Sequence, residues 1–415
     1  MNGPLLRRLG TGDAVVIGLG SMIGAGVFAA FGPAAAAAGS GLLIGLGLAA
    51  VVAYCNAVAS AQLAAQYPTS GGTYVYGRER LGEWWGFTAG WGFVIGKTAS
   101  CAAMALTFAS YAVAGSLWVQ RAVAVAGVAV LTAVNYHGIT RTVRLTRILV
   151  AVSILALVVI VVALAVSGGT RTSNVSGLPF GYRGFYGIAQ SAGLLFFAFA
   201  GYARIATLGE EVREPERTIP RAIPIALGIT VAIYAALGAS LLLTAGPRVL
   251  AGTRAPIVAA LAHSGAGWAS PVARVGAAVA SLGALLALIA GVGRTALAMA
   301  RERDLPGWLA SVHPLHRVPH HAEVALGIAV SVLVLTTDLR GAIGFSSFGV
   351  LAYYAIANAS AVTQTAEHRR WPRALNVAGL VACVSLMATL PWQSAAAGAA
   401  VLAVGLTGRL VLHGL

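Results

Sequence analysis

Lys97 is the single lysine of the chain, and it lies inside a long apolar run, GWGFVIGKTASCAAMALTFASY. The other 26 of its 27 basic residues are arginines, clustered in short polar stretches. None of the twelve acids falls at the centre of an apolar run. A lone ammonium in hydrocarbon is costly, rare and by default functional. Lysines in apolar surroundings can gain and lose a proton near neutrality. Lys97 therefore reads as a proton-coupling group, as a fixed charge organising a cavity, or as a structural ammonium capped by main-chain carbonyls. The second constellation is backbone. GLGSMIGAGVF places Gly18, Gly20, Gly24 and Gly26 around Met22, Ile23 and Ala25. Clustered glycines permit a helix to unwind. Unwound backbone is tolerated in a membrane only where it is buried or lines a cavity. Free N–H groups there suit an anion, and free carbonyls suit a cation, so a zwitterion is the natural guest. The same spacing also fits a small-residue seam for close helix packing. A third segment, LLFFAFAGYARIATLGEE, carries Phe196, Phe197 and Phe199 ahead of Gly201. At i, i+1 and i+3 the three rings cannot share one face.

The elements that hold these residues are membrane spans. The chain of 415 residues is 58% hydrophobic and only 9% charged, with a mean hydropathy of +0.84. That excludes an ordinary soluble domain. A bilayer core takes about 20 apolar helical residues. Twelve runs qualify: 13–38, 41–66, 84–113, 119–137, 145–167, 185–209, 221–245, 268–300, 322–337, 341–364, 374–391 and 394–413. The fold class is thus an all-α membrane protein forming one domain over 1–415, with short loops and no separate soluble unit. The two last spans, 374–413, hold nothing that looks chemical. MNGPLLRRLGTG leads straight into the first span and does not read as a cleaved signal.

The arginines orient the chain. With the N-terminus in the cytoplasm, 17 arginines lie inside, 6 outside, and Arg204, Arg274 and Arg294 within spans. The positive-inside rule then puts both termini in the cytoplasm of a multi-pass protein of the cell membrane. A net charge of +15 invites nucleic acid, but the arginines form no patch with aromatics. Cys55, Cys101 and Cys383 lie in apolar runs and read as core residues. The histidines cluster in HPLHRVPHH and other loops, so no metal site is expected. No Walker-type loop is present, so ATP is not the expected energy source. No cofactor is expected.

GSMIGAGVF, followed some 170 residues later by FFAFAGYARIATLGEEVREPERTIPRAI, resembles the amino acid–polyamine–organocation (APC) superfamily. The third span, GRTALAMARERDLP in the eighth and GFSSFGVLAYYAIANASA in the tenth extend the resemblance. It implies the leucine-transporter fold. Two inverted five-helix repeats, 13–167 and 185–364, would work by alternating access, with the two C-terminal helices added. The substrate site would lie between the first and sixth spans. Carried over, the carboxylate-binding backbone falls on Gly24, Ala25 and Gly26. The amine-binding carbonyls fall at Met22 and Ile23 and on Phe199 and Ala200. The aromatic gate falls on Phe197, with Tyr202 past Gly201.

Many fold relatives bind sodium between the first and eighth spans. The matching stretch here is VASLGALLAL, with Leu282 and Gly283 at the hydroxyl positions and Ser281 adjacent. A hard cation wants several oxygens, so sodium independence is expected. The lysine that some members carry on the fifth span is Ser153 here. Lys97 lies about 14 residues into its span, roughly 20 Å deep. Arg204 faces the inward vestibule, or snorkels and pairs with Glu210 or Glu211. Arg294 is expected to join ion pairs with the EEVREPER loop. The reading is an amino acid permease, proton-coupled or exchanging, with a neutral substrate first. A carrier of acidic amino acids or of other amines or carboxylates is the alternative. A membrane-embedded enzyme lacks the acid–base constellation it would need.

Overall fold

The computed structural model describes residues 9–69, 71–137, 143–174, 184–208 and 211–413. Glu210, and the arginines Arg7, Arg8, Arg141 and Arg183 of the orientation count, lie outside the described residues. Ten helices among the described residues are long and apolar enough to cross a membrane. Two shorter apolar helices, His320–Thr336 and Arg373–Thr389, supply the ninth and eleventh spans.

The first span is α1 (Thr11–Met22), α2 (Ala25–Ala29) and α3 (Phe31–Ala38). Then come α4 (Leu42–Gln66), the short α5 (Thr73–Leu81), α6 (Glu83–Ala112), α7 (Leu117–Tyr136) and α8 (Val143–Val166). The sixth span is α9 (Gly184–Phe199), a tighter 3₁₀ turn over Ala200–Tyr202, and α10 (Ala203–Ala206). The rest are α11 (Pro215–Ala251), α12 (Pro256–His263), α13 (Ser270–Arg301), α14 (His320–Thr336), α15 (Leu339–Val362), α16 (Arg373–Thr389) and α17 (Trp392–His413). Among the described residues the one strand-like pairing is an isolated bridge between Leu9 and Val212.

Hydrocarbon forces each polar group in these helices to find an internal partner. Thr98, Thr107 and Thr230 return their hydroxyls to the carbonyls of Val94, Ala103 and Ala226, four residues back. Asp338 caps α15 by accepting from the Gly341 N–H at 2.7 Å. Pro215 opens α11, where its missing N–H costs nothing, and Gly246 interrupts that helix with φ +74°. Lipid-facing stripes follow the helical period. On α8, Leu155, Val158, Val162 and Val166 are all exposed.

Two packing groups emerge. α4 lies along α9 and α11, and α1 packs on α11. α6 packs along α13 and α15, while α14 packs on α7 and α13. α15 also touches α4, where the Asn358 amide donates to Asn56 Oδ1 at 2.6 Å. The Cys383 thiol of α16 reaches the same oxygen at 3.2 Å.

At the end of the bundle where α13 finishes, Asp304 gathers donors from distant parts of the chain. It accepts from the Tyr74 hydroxyl at 2.7 Å and from Arg78 at 3.1 Å. Its other oxygen lies 3.1 Å from Arg409 of α17. Burial, and then the Asp304 carboxylate, hold the Tyr74 phenol above its usual range. The Arg409 guanidinium also lies over Trp84 at 4.7 Å and Phe87 at 5.1 Å. The last helix, chemically silent by sequence, is thus tied electrostatically to α5, α6 and the α13 terminus. Nearby, His313, His316 and His320 of the α13–α14 segment collect with His137 around Tyr136. Their loop positions were legible in sequence; their convergence was not.

Candidate functional site

The first helix does break. Ile23 takes φ −79° and ψ 62°, and the Gly24 N–H bonds back to the Met22 carbonyl at 2.8 Å. That is an inverse γ-turn. α2 then starts at Ala25, and its opening N–H groups have no carbonyl of the same helix ahead of them. The glycines also serve as a seam, so the span is both broken and closely packed here. A Cβ at Gly26 would lie 2.6 Å from Ala198 Cα, and one at Gly18 would meet the Ile205 side chain at 2.3 Å. A Cβ at Gly24 would lie 2.9 Å from Ala284 Cβ, so this break backs onto α13.

The sixth span changes pitch rather than opening. α9 ends at Phe199, and the chain tightens through Ala200, Gly201 and Tyr202 before α10 resumes. Gly201 permits the crossing: a Cβ there would sit 2.3 Å from the carbonyl carbon of Ser21. The two interrupted spans therefore touch backbone to backbone, at Ser21–Met22 against Gly201 and at Gly26 against Ala198.

The carbonyls released at this crossing have internal donors. The Tyr234 hydroxyl of α11 lies 2.6 Å from the Met22 carbonyl and 3.0 Å from that of Ala198. Lys97, only 6% exposed, donates from Nζ to the Ala200 carbonyl at 3.1 Å. The Tyr354 hydroxyl of α15 lies 3.5 Å from the same oxygen. Two of the expected amine-binding carbonyls, Met22 and Ala200, are thus occupied by the protein's own groups.

The three phenylalanines part ways as their spacing requires. Phe196 packs edge-on against Tyr354 at 5.8 Å, and Phe199 packs against Tyr234 at 5.0 Å. Phe197 belongs instead to the cluster of Ala25, Met104 and Ala284, beside the break in the first span. Tyr202 is fully buried and lies 5.0 Å from the Tyr354 ring, on the side of Asn56. Ser153 is buried and returns its hydroxyl to Leu149 at 2.8 Å, within its own helix.

Arg204 is partly buried and reaches Thr207 Oγ1 at 3.4 Å. The charges it feels are those of Arg294 and Glu211. Arg294 in turn acts on Glu323, whose side chain packs over Gly293. Its electrostatic neighbours are therefore Arg204 and the start of α14. Ala280 and Ala284 are the α13 residues that approach Gly24, while Ser281 is fully buried and its hydroxyl has no protein partner.

Sequence reasoning missed Tyr234 and Tyr354. The available signal was a phenol in the middle of an apolar span, since a buried tyrosine hydroxyl seeks a partner.

The description "Amino acid permease" matches residues 9–405. An uncharacterised transporter of Mycobacterium tuberculosis is 60% identical, over 97% of this chain and 90% of its own length. The branched-chain amino acid permease BcaP of Bacillus subtilis is 26% identical over 94% of this chain and 89% of its own. The chloroplastic cationic amino acid transporter 7 of Arabidopsis thaliana is 29% identical over 96% and 73% respectively.

Proposed function

The chain belongs to the amino acid permease family, and from that premise we propose a secondary transporter that moves neutral amino acids by alternating access. Five-helix repeats over 13–167 and 185–364 would rock about the crossing of the first and sixth spans, with both termini in the cytoplasm. The carboxylate would bind at the N–H groups of Gly24, Ala25 and Gly26, and the ammonium near the carbonyls of Phe199 and Ala200. Phe197 would cover the site. The single observation that carries this reading is the backbone contact of Gly201 with Ser21, which sets two interrupted helices face to face.

Charge decides the ranking of substrates. Lys97 lies beside the crossing and Arg204 one helical turn beyond Gly201, and an acidic amino acid is the second reading because both are positive. Relatives carry names for branched-chain and for cationic amino acids at 26% and 29% identity, so kinship does not rank them. Sodium has few oxygens to bind beside Ala280 and Ala284. Lys97 is the group proposed to couple transport to protons.

Purified protein screened by thermal shift against all amino acids tests the substrate class, because a ligand stabilises by mass action. A neutral amino acid should give the largest shift. Lys97→Ala should flatten the pH profile of uptake in proteoliposomes. An active variant with an unchanged profile would leave Lys97 a structural role only.

A further inference from the structure

Lys97 and the substrate ammonium have the same chemistry, and the Ala200 carbonyl is where both would go. Nζ stands 3.1 Å from that oxygen, and the Tyr354 hydroxyl lies 3.5 Å from it. We propose that Lys97 is a tethered competitor for the amine subsite, so that substrate binding expels one proton from the protein. The inference rests on the amino acid site proposed above and adds the sign of its coupling.

The argument is one of exclusion. A carbonyl oxygen accepts two hydrogen bonds at most in good geometry. Two ammonium groups on one buried oxygen would repel each other in a medium that screens poorly. The lower-energy arrangement keeps one cation. The substrate ammonium donates to Ala200, a proton leaves Lys97 Nζ for solvent, and the neutral amine keeps a lone pair that can accept from the substrate. Charge balances: one cation arrives and one proton departs.

Arg204 is also ionised beside the crossing, but it bonds Thr207 Oγ1 rather than the Ala200 carbonyl. The titratable groups facing Lys97 are the Cys101 thiol one turn along α6 and the Tyr354 phenol on α15, with Tyr202 behind it. Tyr353 turns away, its hydroxyl accepting from the Thr73 N–H. On helices packed against α6, the charged residues Arg78, Glu79, Arg80, Arg121, Arg274, Arg294, Arg301, Glu323, Arg340 and Arg409 all stand within about two turns of a helix end, as do His320 and His321. Between Arg274 and Arg294, α13 has no titratable side chain.

Linkage fixes the sign. A ligand that releases a proton binds more tightly as pH rises, by up to about tenfold per unit for one proton. In transport the two cations then cross in opposite directions, so uptake is accelerated by acid on the far side of the membrane. A symporter shows the reverse.

The test is calorimetry on the full-length protein in detergent, in buffers of differing ionisation enthalpy, from about pH 6 to about pH 8, where the substrate's own carboxyl is ionised. The probe is the tightest binder among the neutral amino acids from L-alanine to L-leucine. The expected result is release of about one proton per substrate somewhere in that window, with the dissociation constant falling as pH rises. Lys97→Gln keeps a donor for Ala200 but cannot titrate, and it should bind with no proton release and a flat pH profile. Should that variant fail to fold, the absence of proton release by the unaltered protein still overturns the inference. Binding without proton release, or with proton uptake, overturns the inference and leaves the site standing. Failure of every neutral amino acid to bind removes the site reading and the inference together.

Discussion

A Cβ on Gly26 would lie 2.6 Å from the Cα of Ala198, closer than real side-chain carbons approach backbone. The first and sixth spans are therefore held at a distance that only hydrogen at this position allows. Gly26→Leu should abolish uptake while the protein still inserts and remains monodisperse, because the side chain would part the crossing and fill the space above α2. Gly24→Leu should act alike through Ala284, 2.9 Å from its Cβ position. Even alanine at Gly26 should cost about 1–3 kcal/mol by overpacking. Uptake assays on both leucine variants check this, and normal transport by the pair would dismiss the site assignment.

Much of this arrangement was legible in the chain. The spans follow from hydropathy alone, and the observed helices keep the expected order. Glycines inside an apolar run disclosed the break after Met22, since few other features gather so many poor helix formers. The sixth span was less legible: Gly201 marks a close approach and a change of pitch, not an open gap. Tertiary partners were hidden because they depend on which faces meet. Nothing near Met22 in sequence announces Tyr234, which lies 212 residues away. Nothing near Asp304 announces Arg409. A charge at the end of an apolar helix reads as a topology signal until its partner is known.

The Asp304 carboxylate is the shared acceptor of two arginines and a phenol, so its loss should be felt across several helices. Asp304→Ala leaves Arg409 in a site where its side chain is only 3% exposed, beside Glu83 at 3.4 Å. Removing one partner of a buried pair costs about 3–5 kcal/mol. Arg409→Met should cost less, because the replacement stays apolar over Trp84 and Phe87. Thermal unfolding in detergent should rank the two variants in that order. Equal stabilities would mean that water reaches Arg409 and that α17 is held by apolar contacts alone.

Sodium should not drive this carrier. The α13 surface nearest the first break is Ala280 and Ala284, and Ser281 alone adds a hydroxyl to that turn. One methyl group, from Ala284, and the single main-chain carbonyl of Ala280 beside it fall short of the several oxygen ligands a hard cation requires. Uptake into proteoliposomes should be unchanged when choline replaces sodium. A steep dependence on sodium would place its ligands elsewhere and sever Lys97 from energy coupling.

Cationic side chains should be disfavoured by the positive charge around the crossing, which Arg204 carries once a substrate has displaced the proton of Lys97. Among the described residues near the crossing, Lys97 is the ionised group, with Arg204 one turn beyond and no carboxylate hydrogen-bonded to either. At an effective dielectric of about 20, two like charges about 8 Å apart repel by roughly 2 kcal/mol, more than a tenfold penalty. An arginine, lysine or spermidine chain would meet that field without a counter-charge. A neutral amino acid would meet it only at its ammonium, which can take the Ala200 carbonyl in place of Lys97. An acidic amino acid could gain from it. The expected order of competition against a transported label is neutral, then acidic, then cationic and polyamine. If arginine or spermidine competes better than every neutral and acidic amino acid, the charge ranking fails and Arg204 does not face the substrate side chain.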